Sequence, residues 1–148
     1  MTKAIWFDMD GTIADLYGVE GWLADLISEN TRPYEQAKVM HNMALLARLL
    51  NKAQRNGYTI GIISWTSKAG TAEYNARVAT AKMKWLAEHL HSVAWDAVQI
   101  VPYGTNKYSV CGGGILFDDE QGNRDAWQDE AHEPKDIMEI LKKIIKEA

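Results

Sequence analysis

Two aspartates one residue apart, Asp8 and Asp10, stand directly after the apolar run Ala4-Ile5-Trp6-Phe7 and are followed by Gly11 and Thr12. The run reads as a buried strand. At its end the two carboxylates lie close together among apolar neighbours that raise the cost of ionisation. A cation or a proton must relieve the repulsion. Gly11 lets the chain turn sharply, and Thr12 adds a hydroxyl and a backbone N–H beside the acids. Open α/β sheets bind ligands at the carboxyl ends of their strands, which is where both acids fall.

Other groups far off in sequence reach strand ends in the same way. Ser64 follows the apolar run Ile60-Gly61-Ile62-Ile63, and Asp118 and Asp119 follow Ile115-Leu116-Phe117. Lys107 precedes the latter pair by one loop. Asp8, either of Asp118 and Asp119, and a backbone carbonyl near Asp10 offer the oxygen ligands that Mg²⁺ prefers. Asn123 is a weaker addition to that shell. Ser64, with the N–H groups of Trp65 and Thr66, can hold phosphate oxygens. Lys107 supplies positive charge against the carboxylates and the phosphate. Lys82 and Lys84 also follow Ser64, but they fall on a long helix, where a solvated role is expected.

The elements that must position these groups alternate between strand and helix, which predicts an α/β fold, a three-layer Rossmann-like parallel sheet. Val19, Trp22, Leu23, Leu26 and Ile27 have helical spacing. A second helix is expected from Pro33 through Val39, Met43, Leu46 and Leu50 to Asn56-Gly57. Residues from about 16 to 40 read as a small helical lid inserted after the first strand. Strands are expected at Tyr58–Ser64, Ala97–Val101 and Ile115–Phe117, with a weakly signalled fifth at Asp125–Gln128. A long helix from about Thr71 to His91 carries an apolar seam read at Ala76, Ala79, Met83, Leu86 and Leu90. Another, with Pro134 and Asp136 at its start, closes the chain.

Composition narrows the classes. The 148 residues, 47% hydrophobic and 24% charged, suit one globular domain spanning 1–148. A net charge of −4 counts against general binding to nucleic acid or anionic membranes. Cys111 is the only cysteine, so no internal disulfide forms. With no apolar run of membrane-spanning length and no secretion signal, a cytoplasmic location is expected. His89 and His91, two apart on a helix, point to different faces, and His41 and His132 lack evident partners. Cys111 reads as a packed thiol, and Trp85 and Trp95 read as core.

Phe7-Asp8-Met9-Asp10-Gly11-Thr12 resembles the first motif of the haloacid dehalogenase (HAD) superfamily of phosphohydrolases. Ser64 resembles its second motif, Lys107 its third, and Phe117-Asp118-Asp119 its acidic fourth, in the right order from Ile5 to about Asn123. The resemblance implies that Asp8 is the nucleophile and Asp10 the general acid/base, with a pKa raised by burial and neighbouring charge. It implies a metal set of Asp8, Asp10, Asp118 and Asp119 holding Mg²⁺, phosphate contacts from Ser64, Trp65 and Lys107, and phosphomonoester hydrolysis. Asp8 to Asp15 is also similar to the opening of 5′(3′)-deoxyribonucleotidases, which implies a small phosphorylated substrate, a nucleoside monophosphate. Tyr17, Trp22, Tyr34 and Trp65 could stack its base, although Trp22 also lies on an apolar stripe. A polynucleotide 3′-phosphatase shares these motifs, but would want a basic groove. A non-catalytic binding module on the same fold would be expected to have lost these acids.

Overall fold

The structure, a computed structural model, describes residues 3–147. Strand β1 (Ala4–Phe7) leads into the Asp8–Thr12 loop and a two-residue strand, β2 (Ala14–Asp15). A 3-10 turn at Leu16–Gly18 and two short helices, α1 (Trp22–Ile27) and α2 (Arg32–Gln36), follow. The chain then returns as β3 (Lys38–Val39), antiparallel to β2. Next come α3 (Met43–Arg55), β4 (Thr59–Trp65), α4 (Ala72–His89), β5 (Ala97–Val101), α5 (Lys107–Cys111), β6 (Ile115–Phe117), α6 (Gln121–Ala126), β7 (Glu130–His132) and α7 (Ile137–Glu147). Among the described residues no helix is long and apolar enough to cross a membrane.

The main sheet is parallel, in the order β5-β4-β1-β6-β7, which places the first strand at its centre. Side chains alternate across it. Ile5, Phe7, Ile60, Ile62, Ile115 and Phe117 face one way, onto Leu46 and Leu50 of α3, Ile137 and Leu141 of α7, and Leu86 of α4. Ile63, Leu116 and Trp6 face the other way, with Trp127 and Tyr108. Helices therefore cover both faces, and the chemistry is left to the strand ends. Register fixes what meets there. Phe7 pairs with Phe117, so Asp8 and Asp118 leave their strands side by side.

Gly61 is needed for this packing. It lies beside Trp6 across the β1–β4 pair, and a Cβ built on it would overlap the indole ring. Gly61→Ala is expected to cost about 1–3 kcal/mol by overpacking. A fall in the urea midpoint at unchanged slope, multiplied by that slope to give a loss of this size, checks it.

Three expectations are corrected. The helix expected from Pro33 to Asn56 is two helices, because the chain runs extended over residues 37–39 and bends at Met40 and His41, and Asn42 starts α3 afresh by accepting from the Leu45 N–H. The fifth strand is Glu130–His132 rather than Asp125–Gln128. Trp127 drops into the core and donates its indole N–H to the Gly114 carbonyl, and the chain pairs with β6 only after that anchor. The seam of α4 is Tyr74, Val78, Ala81, Lys82, Trp85 and Leu86, and Ala76 and Met83 lie outward. The bulky aromatics decide which face is buried, since small alanines lose little by facing water.

Candidate active site

The floor of the site is built from the ends of β1 and β6. Asp8 is held on three sides. Its main-chain N–H donates to the Phe117 carbonyl at 3.0 Å, Thr12 Oγ1 donates to Oδ2 at 3.1 Å, and Lys107 Nζ donates to Oδ1 at 3.0 Å. Lys107 also reaches Asp118 Oδ2 at 2.6 Å and so bridges the two strand ends. It can do so because α5, capped by Asn106, begins at Lys107 itself. Asp118 is fully buried, with Oδ1 accepting from the Glu120 N–H at 3.0 Å and Oδ2 also from Asn123 at 3.2 Å. Asp119 is the partly exposed member, and its N–H donates to Thr12 Oγ1 at 3.2 Å.

One carboxylate oxygen each from Asp8, Asp118 and Asp119 lies within 4.8 Å of the others. A hard divalent cation such as Mg²⁺ fits this donor set in chemistry and spacing. Asp10 is not part of the trio. Its carboxylate turns to Lys82, with Nζ to Oδ2 at 2.9 Å, so the ligand it could offer such an ion is its main-chain carbonyl.

Burial pushes Asp10, Asp118 and Asp119 above the usual carboxylate range, and the charge of Asp8 adds to each shift. Lys82 pulls against it at Asp10, and Lys107 at Asp118. Asp119 rises to about 8. The sign of the consequence follows by linkage. A carboxyl whose folded pKa lies above its unfolded value, about 3.9, binds more protons folded than unfolded between the two. Stability from these groups is therefore present at low pH and lost as pH rises through that window. A bound divalent cation removes the penalty. Without Mg²⁺ the melting temperature is expected to fall from pH 5 to pH 8, and added Mg²⁺ to raise it more at pH 8 than at pH 5. A Mg²⁺ effect absent at both pH values would contradict the cation site.

Lys82 is the residue that sequence reasoning missed. Only 1% of it is exposed, and its ammonium donates to Asp10 Oδ2, to Ser64 Oγ at 2.7 Å and to the Trp65 carbonyl at 2.7 Å. The expected solvated role is thus corrected for Lys82, whereas Lys84 does face water. The signal lay in Tyr74, Val78 and Trp85, whose spacing puts Lys82 on their face.

Ser64 stands behind the cavity wall, fully buried and bonded to Lys82. The Thr66 N–H, expected to be free for phosphate, donates instead to the Val101 carbonyl at 2.8 Å. The same loop brings Trp65, Thr66, Ser67 and Lys68 to the cavity in their place.

That cavity, about 460 Å³, has Asp8, Asp10, Lys107 and Asp119 at its base. Leu16, Tyr17, Trp22, Leu23, Leu26, Ile27 and Tyr34, from the segment between β2 and β3, form one wall. Trp65 and Tyr103 stand in the other, ring centroids 4.8 Å apart, with the Trp65 indole N–H donated to the Thr105 carbonyl. Tyr17 and Trp22 meet edge to face at 5.0 Å. The first wall is tied down at Glu29, a non-glycine residue at φ +59. Its carboxylate accepts from the Thr71 N–H and hydroxyl at the start of α4, and Tyr74 donates to the next carbonyl, that of Asn30.

The remaining candidates are structural. His41 Nε2 lies 2.7 Å from the Thr12 carbonyl, and His132 Nε2 lies 2.6 Å from Glu130, so both have the partners that the sequence did not reveal. Trp85 is core, with its indole N–H on the Ala37 carbonyl. Burial pushes the Cys111 thiol up to about 12, which suits a packed thiol.

No family model matches the sequence, and no curated protein does. Among solved structures the fold matches a crystal structure of D,D-heptose 1.7-bisphosphate phosphatase from B. bronchiseptica complexed with magnesium and phosphate. The TM-score is 0.60 at 11% identity, over 99% of this chain and 100% of that one. At that identity the likeness shows the fold alone: an α/β parallel sheet with helices on both faces.

Proposed function

We propose that the chain is a Mg²⁺-dependent phosphomonoester hydrolase working through an aspartyl-phosphate on Asp8, with nucleoside monophosphates as its substrates. The observation that carries this is Asp8 itself, a carboxylate anchored by Thr12 and Lys107 beside two further acids, at the base of an aromatic-walled cavity. The magnesium and phosphate complexed with its structural neighbour are consistent with this reading.

In the first step an Asp8 carboxylate oxygen forms a bond to phosphorus as the bond to the leaving oxygen breaks. Asp10 gives that oxygen its proton. A water then attacks phosphorus, Asp10 takes the water's proton, the bond to Asp8 breaks and phosphate departs. Burial, with the charge of Asp8, raises the pKa of Asp10 against the pull of Lys82, which is the direction the first step requires. Lys107 holds Asp8 in place and sets positive charge where phosphoryl oxygens must lie. Mg²⁺, held by Asp8, Asp118, Asp119 and the Asp10 carbonyl, would neutralise charge on the transferred group.

The substrate reading rests on the walls. Residues 16–40 form a lid in this reading, and the Tyr17–Trp22 and Trp65–Tyr103 pairs, both in the lining of the cavity, offer ring faces on which a planar base can stack. The test is phosphate release with Mg²⁺ from 5′- and 3′-nucleoside monophosphates, sugar phosphates and a 3′-phosphorylated oligonucleotide. Preference for a mononucleotide is expected. Preference for the oligonucleotide would replace this substrate class with a polynucleotide end.

A further inference from the structure

The reaction above makes no use of Lys82, although burying an ammonium on a packed helix face costs more than any apolar residue there would. Its neighbours on that face are Tyr74, Val78 and Trp85, and packing alone would be served by another of their kind. All three of its donors are spent, on Asp10 Oδ2 at 2.9 Å, Ser64 Oγ at 2.7 Å and the Trp65 carbonyl at 2.7 Å. The Tyr34 ring closes over it at 5.2 Å. It does not line the cavity, whereas Asp10 does. Two of the three bonds fasten the ammonium to the end of β4, and the third fastens Asp10 to the ammonium.

We infer that Lys82 is a positioning residue for the acid–base group: it registers the Asp10 carboxyl against the rigid end of β4 through Oδ2 and leaves Oδ1 to carry the proton toward the leaving oxygen. The inference rests on the phosphatase reading. Asp10 sits in the loop after β1, whose ties to distant elements fall on Asp8, Thr12 and Ile13 and not on Asp10 itself, so its side chain needs a reference of its own. In the step concerned, the bond from phosphorus to the leaving oxygen breaks, the Asp8–phosphorus bond forms, and the proton on Asp10 Oδ1 passes to the leaving oxygen. Lys82 keeps its own protons throughout.

The leaving group separates this role from a structural one. An alkyl ester must expel a poor alkoxide and depends on the proton, whereas p-nitrophenyl phosphate expels a stable phenolate and does not. Lys82→Met keeps the length of the side chain without its charge. For that variant kcat/KM, which reports the first step, is expected to fall about 10²- to 10³-fold on an alkyl phosphomonoester and less than about tenfold on p-nitrophenyl phosphate. Lys82→Arg should recover part of the alkyl rate, and Lys82→Met in an Asp10→Asn background should cost nothing further on that ester. Should Lys82→Met fail to fold, Ser64→Ala removes one anchor and keeps the charge, and a smaller loss confined to the alkyl ester is expected. Equal losses on both esters, or a full further loss in the Asp10→Asn background, would overturn the assignment. A wild type that hydrolyses neither ester overturns the phosphatase reading and takes this inference with it.

Discussion

Asp8→Asn is expected to lower turnover on the order of 10⁵-fold, the scale on which loss of a nucleophile is measured in enzymes that work through covalent intermediates. The side chain keeps its shape but loses its ability to attack phosphorus. The surroundings should tolerate the change. An amide oxygen can still accept from Lys107 Nζ, which now stands 3.0 Å from Oδ1, at the expense of the Thr12 bond to Oδ2. Removing one charge from a trio of close carboxylates also relieves repulsion that offsets the weaker pairing with Lys107. Fold and melting behaviour are therefore expected to survive while chemistry does not. Acid-quenched turnover of a phosphate-labelled substrate makes the point directly: the wild type should carry label on Asp8 and the variant none. Undiminished turnover in Asp8→Asn would sink the mechanism.

Lys107→Met is expected to damage both stability and rate. Lys107 is 5% exposed, and its ammonium lies 3.0 Å from Asp8 and 2.6 Å from Asp118 and sits 5.2 Å over the Trp65 ring. Burial alone would pull its pKa down, but the two carboxylates more than offset that and push it to about 12. It therefore stays charged at any ordinary pH. Removing it strands two buried carboxylates, a loss of about 3–5 kcal/mol. The size should depend on pH. Asp118, already pushed up to about 6 by burial and by Asp8, takes up a proton more readily once the ammonium is gone, so the loss shrinks as pH falls below that value and approaches its full size toward pH 8. Mg²⁺ should restore part of the stability by supplying charge, but not the turnover, because the cation that orients Asp8 is gone. Denaturant melts at two pH values, with and without Mg²⁺, measure all of this. A variant as stable as the wild type at pH 8 without metal would show that the bridge contributes nothing.

The floor of the site was legible in the sequence because its groups sit on strand ends. Asp8, Asp118 and Lys107 are joined by the register of β1 on β6 and by one short capped helix, and runs such as Ile115-Leu116-Phe117 announce the strands without any knowledge of contacts. The parallel sheet and its terminal helix were legible for the same reason. What could not be read was anything decided by competition between faces or between local and distant partners. Leu86 and Leu90 are inside as their spacing suggested, yet Tyr74 and Trp85 bury more surface than Ala76 and Met83 and rotate α4 so that those two face water and Lys82 is carried inside. Ser64 is where its run placed it, but its hydroxyl serves Lys82 rather than the cavity. The break after Gln36 was hidden because Val39 and Met43 continue a helical rhythm, while Asn42 caps a new helix.

The β2–β3 clasp has a consequence for how such a chain can diversify. Ala14 pairs with Val39 and Asp15 with Lys38, so the polypeptide that leaves the Asp8–Thr12 loop returns to within one hydrogen-bonded rung of its departure. The segment between those rungs supplies one wall of the cavity, and Asp8, Asp10, Asp119 and Lys107 lie outside it. A segment whose two ends are already together can be lengthened, shortened or replaced at little entropic cost. New specificities could therefore be grafted between Asp15 and Lys38 as an exchangeable cassette, with the reactive carboxylates inherited unchanged.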